Sequence, residues 1–141
     1  MVTAGYSDTP LTRKIGIKAG HRVALVHRPA DWELPEVPGA ELTERRQPGA
    51  DITIVFARTY GDLAAEAPGL VTELADAAML WVAWPRRAAG HTSDITENGL
   101  RELFLPLGVV DVKVAALGED WSGLRLVRRR ENRGRPGPAA E

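Results

Sequence analysis

Three short apolar runs do most to decide what this chain can become: His21–His27 (HRVALVH), Asp51–Ala57 (DITIVFA) and Ala78–Trp84 (AMLWVAW). Each is continuously apolar rather than alternating, the pattern of a strand buried on both faces of a parallel sheet. The stretch from Trp81 to Arg130 extends that pattern. Its strand ends in Trp84-Pro85-Arg86-Arg87, a polar loop follows, and a capped helix is expected from Asp94. Two alternating stretches then meet across a turn that contains glycine.

The segments between the runs supply the rest of a domain. Leu11, Ile15 and Ile17 suit a short helical turn ending at Gly16 or Gly20. Pro29–Gly39 holds three prolines with Trp32 and Leu34 among acids, which predicts an irregular loop. Glu41–Arg46 reads as a short edge strand. In Tyr60–Ala75 the apolar residues Leu63, Ala64, Ala67, Leu70, Val71 and Leu74 fall close to helical spacing. Pro68-Gly69 is expected to kink that helix or split it in two.

At the second helix, the Asp94 carboxylate would accept from the backbone N–H of Glu97, with Glu97 reaching back to Asp94. Leu100, Leu103, Phe104 and Leu107 form its buried stripe, and Pro106 and Gly108 close it. Val110, Val112 and Val114 alternate with Asp111 and Lys113, giving a strand with one wetter face. Glu119–Gly123 reads as a turn, and Leu124 and Leu126 alternate with Arg125 in the second arm of an antiparallel hairpin. Together these elements predict a three-layer α/β domain whose sheet is mostly parallel, with an antiparallel C-terminal hairpin. The expected organisation is a flexible N-terminus over residues 1–10, one domain over 11–130 and a disordered Arg/Gly/Pro-rich tail over 131–141.

A chain of 141 residues can bury a core without disulfides, and it contains no cysteine for thiol catalysis or thiolate metal sites. The first residues lack the apolar core of a signal peptide, and no stretch approaches the roughly 18 apolar residues of a membrane span. A soluble cytoplasmic protein is expected. The net charge of −1 gives no global attraction to nucleic acid. Charge is nevertheless uneven: residues 1–30 carry five basic and one acidic group, and residues 31–76 carry three basic and ten acidic. Five arginines crowd into Arg128–Arg135; without interleaved aromatics they read as a solubilising tail rather than a nucleic-acid arm.

The layout resembles a shortened Rossmann-like methyltransferase, a fold that ends in a helix and an antiparallel hairpin. IKAGHRVALVH is similar to the entry to its first strand, and ADITIVFA and AMLWVAWP to its later central strands. WVAWPRR, SDITEN, VDVKV and EDWSGLRLVRR resemble, over about residues 11–130, a small bacterial protein family of unknown function. That second resemblance implies no activity and no site residues. The first implies a glycine-rich turn after the opening strand, where backbone approaches adenosylmethionine or a dinucleotide. Here the chain runs His27-Arg28-Pro29-Ala30-Asp31-Trp32, with no glycine between Gly20 and Gly39. No cofactor is therefore expected. Glu41 or Glu44 could mimic a ribose-binding acid, but a surface glutamate is the plainer reading.

The leading binding candidate is the loop holding Arg86, Arg87, His91, Thr92 and Ser93, whose guanidiniums, hydroxyls and helix-start N–H groups could hold a phosphate or carboxylate. Asp94 opposes this by placing negative charge where an anion would dock. Trp81 and Trp84 lie on opposite faces of one strand, Trp81 as core and Trp84 as a possible pocket floor. Trp121, read as a turn residue, must cover or bind something. His21, His27 and His91 have no metal-ligand spacing and no evident carboxylate partner, so no metal site and no enzyme class is indicated. The expectation is a non-catalytic domain that binds a small anion or a protein partner. The alternatives are an enzyme or phospho-ligand binder working through the Arg86–Asp94 loop, and an arginine-tailed nucleic-acid accessory protein.

Overall fold

A computed structural model describes residues 10–132. In chain order they form α1 (Leu11–Ile15), β1 (Arg22–Val26), β2 (Glu41–Thr43), β3 (Ile52–Phe56) and α2 (Tyr60–Thr72), followed by β4 (Met79–Pro85), α3 (Glu97–Phe104), β5 (Val109–Ala116) and β6 (Trp121–Arg128). Residues 1–9 and 133–141, which hold most of the expected flexible N-terminus and tail, lie outside the described residues.

The strands make one six-stranded sheet in the order β2-β1-β3-β4-β6-β5. The first four run parallel, and β6 pairs antiparallel with both β4 and β5. Side-chain alternation divides β1, β3, β4 and β6 between two apolar clusters. Val26, Val55, Leu80, Val82, Trp84, Leu124 and Leu126 face the side covered by α2 and α3, where Leu63, Leu70, Leu100 and Phe104 close over them. Val23, Leu25, Ile54, Phe56, Trp81 and Trp121 face the other side. There the third layer is the short α1, through Ile15, and the helix-free connection between β1 and β2, through Trp32 and Leu34. The two strand tryptophans separate as alternation requires: Trp81 is fully buried and donates to the Ile15 carbonyl at 3.0 Å.

Three local expectations are corrected. The α2 helix runs unbroken through Pro68. Proline removes one backbone donor, but the buried stripe of Leu63, Ala67, Leu70 and Val71 holds the helix to the sheet on both sides of it. Gly69 is used for approach rather than bending: a Cβ there would lie 2.5 Å from the Arg46 guanidinium, which pairs with Glu73 at 3.0 Å.

The cap of α3 is Thr96, whose hydroxyl accepts from the Gly99 N–H, and not Asp94. Asp94 instead accepts from the Tyr60 N–H at 2.8 Å and so caps α2 from across the chain. Glu97 pairs forward with Arg101, and Arg101 also reaches Asp111 on β5 at 2.9 Å. The hydrogen bond to Asp111 is the main cause holding the Arg101 guanidinium above its ordinary range; burial opposes it.

The β5 alternation breaks at a bulge between Asp111 and Lys113, leaving Val112 and Val114 47% and 44% exposed. A bulge on an edge strand turns the edge away from further pairing. The first two arginines of the Arg128–Arg135 cluster are bonded into the domain. Arg128 donates to the carbonyls of Val71 and Leu74 at the end of α2, and Arg129 donates to that of Leu105.

Candidate functional site

The connection from β1 leads outward to β2, whereas β3 lies on the other side of β1. In open α/β sheets the crevice outside the carboxyl ends of strands at such a reversal is where ligands bind. A cleft of about 470 Å³ opens there. Phe56 and Trp121 form an apolar wall with Pro29, while His27, Arg58, Asp62 and Glu66 supply its polar groups.

Each of these residues is placed by a specific local feature. His27 follows β1 with φ of 61°, the single non-glycine residue at positive φ among the described residues. For an L-residue that left-handed conformation is strained, and such strain persists only where the surroundings fix it. Here Glu66 on α2 does so: both carboxylate oxygens lie within hydrogen-bond distance of His27 Nε2, at 3.0 and 3.1 Å. Asp62 and Glu66 are one helical turn apart, so both face the cleft.

Arg58 follows β3, and its guanidinium stands over the Trp121 ring, 5.0 Å from the centroid. Trp121 is not in a turn. It opens β6 opposite Pro85, is 5% exposed, and meets Phe56 edge-on at 5.1 Å. The same Arg58 and Trp121 also line a smaller recess of about 70 Å³ with Asp31, His91 and Asp120.

The loop expected to hold an anion is bonded largely within the protein. Arg86 donates to the Glu119 carbonyl at 3.1 Å, and its backbone N–H to that of Asp120 at 2.8 Å. The Ser93 hydroxyl donates to the Arg58 carbonyl and accepts from the Ile95 N–H. His91 Nε2 lies 2.9 Å from Asp120. Arg87 and Thr92 are exposed and line neither recess. Trp84, 7% exposed, belongs to the core cluster shared with α2 and α3 and lines neither recess. Of the residues singled out in the sequence, the structure thus brings together His91 and Trp121.

Sequence reasoning missed the two histidine–carboxylate pairs because their members are 39 and 29 residues apart. The available signal was positional: His27 and Arg58 each stand just past the end of a buried strand.

The residues after β1 do not fit adenosylmethionine or a dinucleotide. His27 and Pro29 occupy the wall where bare backbone is needed. Arg28 closes the space toward β2, binding Glu44 at 3.1 Å and the carbonyls of Pro29 and Trp32. Glu44 is therefore engaged by a guanidinium. Among the described residues no three His, Asp or Glu are grouped to hold a metal ion, and no helix is long and apolar enough to cross a membrane.

No protein-family profile matches the chain, and no curated protein matches it in sequence. Solved structures do resemble it. A SAM-dependent methyltransferase from Aquifex aeolicus superposes with a TM-score of 0.57 at 12% identity, covering 82% of this chain and 86% of that one. A protein from Thermoplasma acidophilum, described provisionally as a methyltransferase, gives 0.50 at 7% identity over 82% of this chain and 71% of that one. At these identities the likeness speaks for the fold alone. The chain has the Rossmann-like α/β fold of methyltransferases, with its mostly parallel sheet and antiparallel C-terminal hairpin.

Proposed function

We propose that the protein is a non-catalytic binding protein on a methyltransferase-like scaffold, taking a small polar ligand in the cleft between the ends of β1 and β3. The observation that carries this reading is the filled turn after β1. His27 and Pro29 stand in the cleft wall, and Arg28 ties the connection down to Glu44. The crevice is kept, but the backbone approach a nucleoside cofactor needs is gone.

The lining suggests the ligand's chemistry. Arg58 presents positive charge at one side, Asp62 and Glu66 negative charge at another, and Phe56, Pro29 and Trp121 an apolar wall between. A compact zwitterion, anionic at one end and cationic at the other, matches that distribution better than a phosphate does. The His27 and Glu66 side chains are hydrogen-bonded to each other, and among the described residues neither bonds a hydroxyl.

Calorimetric titration of the whole protein with adenosylmethionine, adenosylhomocysteine and a panel of amino acids tests the proposal. Saturable binding of at least one zwitterion is expected, weakened about tenfold or more by Arg58→Ala, a loss on the scale of one charge-assisted contact. Micromolar binding of adenosylmethionine, or zwitterion binding indifferent to Arg58→Ala, would overturn it.

A further inference from the structure

Resting on the zwitterion reading of the cleft, we infer that its ligand is an amino acid with a basic side chain, and that the recess beside the cleft takes the side-chain cation. The recess is walled by Asp31 from the β1–β2 connection, Arg58 after β3, His91 after β4, and Asp120 and Trp121 at the turn into β6. It meets the cleft at Arg58 and Trp121, which line both. At about 70 Å³ it holds the end of a side chain and not a second ligand, for which roughly 300 Å³ is the usual minimum.

Charge decides what that end is. Arg58 is the one guanidinium lining either space, against Asp62 and Glu66 in the cleft and Asp31 and Asp120 in the recess. It pairs with none of the four: among the described residues no carboxylate lies within ion-pair distance of it. Its guanidinium stands over the Trp121 ring at 5.0 Å, and none of its N–H groups finds an acceptor among the described residues. The cation and the acids are thus kept apart, each open to a ligand group of opposite sign. A zwitterion adds one charge of each sign. Its carboxylate can take Arg58 and its ammonium the acids of the cleft, but the recess acids then stay unmatched. A second cation on the ligand answers them.

The recess acids are positioned and largely uncommitted. Among the described residues the Asp31 carboxylate makes no hydrogen bond or ion pair, and Asp120 uses Oδ1 alone, 2.9 Å from His91 Nε2. The backbone holds both in place. The Asp120 carbonyl accepts from the Arg86 N–H at 2.8 Å, and Trp32, next to Asp31, is anchored by its indole N–H to the Leu117 carbonyl at 2.8 Å. Arg58 is fixed likewise, its carbonyl accepting from the Ser93 hydroxyl at 3.0 Å. A site set before the ligand arrives loses less entropy on binding. Trp121 and Pro85 supply apolar surface along which the methylenes of a basic side chain run to their charged end. The same two carboxylates repel an acidic side chain, so Asp31 and Asp120 determine specificity by exclusion as well as by attraction.

The test is calorimetric titration of the whole protein at low ionic strength with lysine, ornithine and arginine against norleucine. Norleucine has the backbone charges of these amino acids and an uncharged side chain. The tightest of the three bases should bind about five- to tenfold more tightly than norleucine, the scale of one or two partly exposed charge pairs. That ratio should fall by about half or more in Asp31→Asn, and to within about twofold in Asp31→Asn/Asp120→Asn. Asp31 is exposed and the Asp120 side chain is 55% exposed, so both variants should keep the wild-type circular dichroism spectrum. Norleucine bound as tightly as the best base, or a ratio that both substitutions leave intact, would overturn the recess assignment while the zwitterion reading of the cleft stands. If neither norleucine nor any of the bases binds, and no other amino acid does, that reading fails and this inference with it.

Discussion

Gly123→Ala tests the packing on the α1 side of the sheet more sharply than any large-to-small change. Gly123 sits in β6 between Ala83 of β4 and Ala115 of β5, so three small residues lie side by side across three strands. Leu117 lies over them, fully buried. A Cβ on Gly123 would stand 2.6 Å from Leu117 Cδ1, 2.7 Å from Leu117 Cγ and 3.0 Å from Trp81 Cε3. Comfortable carbon contacts are about 3.5–4.0 Å, so the neighbours must move by roughly 1 Å. Neither is free to do so. The Leu117 N–H donates to Trp121 and its carbonyl accepts from Trp32 Nε1, both at 2.8 Å, while Trp81 is fixed to Ile15 at 3.0 Å.

Overpacking of this kind costs about 1–3 kcal/mol, and a bent Trp32–Leu117 hydrogen bond adds about 1 kcal/mol. A total of about 2–4 kcal/mol is expected, which should lower the midpoint of thermal unfolding by roughly 10 °C in a chain of this size. Urea unfolding followed by tryptophan fluorescence measures it. Gly61→Ala is the control: nothing lies within 4 Å of its Cβ position at the exposed start of α2, so stability should hold or rise slightly. If Gly123→Ala changes stability by less than about 0.5 kcal/mol, the close packing of Leu117 and Trp81 on this strand is refuted.

Asp94→Ala should cost about 1 kcal/mol and speed hydrogen exchange at the Tyr60 amide, while Glu97→Ala stays within about 0.5 kcal/mol. Equal losses would return Asp94 to α3. Pro68→Ala should stabilise the protein by about 1–2 kcal/mol in chemical denaturation, since it restores a donor inside an unbroken helix; destabilisation would mean that the proline shapes α2. His27→Val should be less stable than His27→Gly by at least about 1 kcal/mol, because a β-branched residue resists positive φ; equal midpoints would place residue 27 outside the left-handed region. Trp32→Ala should cost about 3–5 kcal/mol, and Trp32→Phe, which loses chiefly the bond to Leu117, about 1–3 kcal/mol. A Trp32→Ala variant with wild-type stability would show that the residues 27–40 connection does not seal the sheet.

The parallel strands were legible because burial on both faces leaves its mark within a few consecutive residues. HRVALVH and DITIVFA each give a strand one residue shorter at either end, and AMLWVAW gives one shifted by a residue, Met79–Pro85. Features set by distant partners were not legible. Asp94 has the spacing of a cap for α3, yet the donor it finds is the Tyr60 N–H, 34 residues earlier. Val112 has the alternation of a buried valine, but a one-residue bulge reverses the faces of an edge strand without changing composition. Trp121 sits in a glycine- and acid-rich run that reads as a turn, and pairing with β4 makes it a strand residue. The cleft follows the same rule. Its position at the strand ends could be read from the layout, whereas the His27–Glu66 pair required knowing that α2 packs beside the end of β1.

The connection from β1 to β2 links these observations. Parallel neighbours are usually joined through a helix, which covers one face of the sheet and aims unpaired N–H groups at the ligand crevice. Residues 27–40 contain no helix here, and Pro29, Pro35 and Pro38 would oppose one. The covering role passes to Trp32, 5% exposed, edge-on to Phe56 at 4.9 Å and hydrogen-bonded to Leu117. An indole ring can seal an apolar face but brings no cluster of free N–H groups and no helix dipole. The polar character of the crevice then comes from the other side, from Arg58 after β3 and from Asp62 and Glu66 on α2. At the start of α2, Asp62 and Asp94 add negative charge, and the Thr59 hydroxyl and Asp94 carboxylate already accept from two of its first N–H groups. Exchanging a crossover helix for a proline-rich strap thus keeps the crevice of the fold while removing the free N–H groups that a helix start would aim into it. The same exchange leaves His27, the residue that must turn out of β1 without a glycine, strained against Glu66 at the mouth of the cleft.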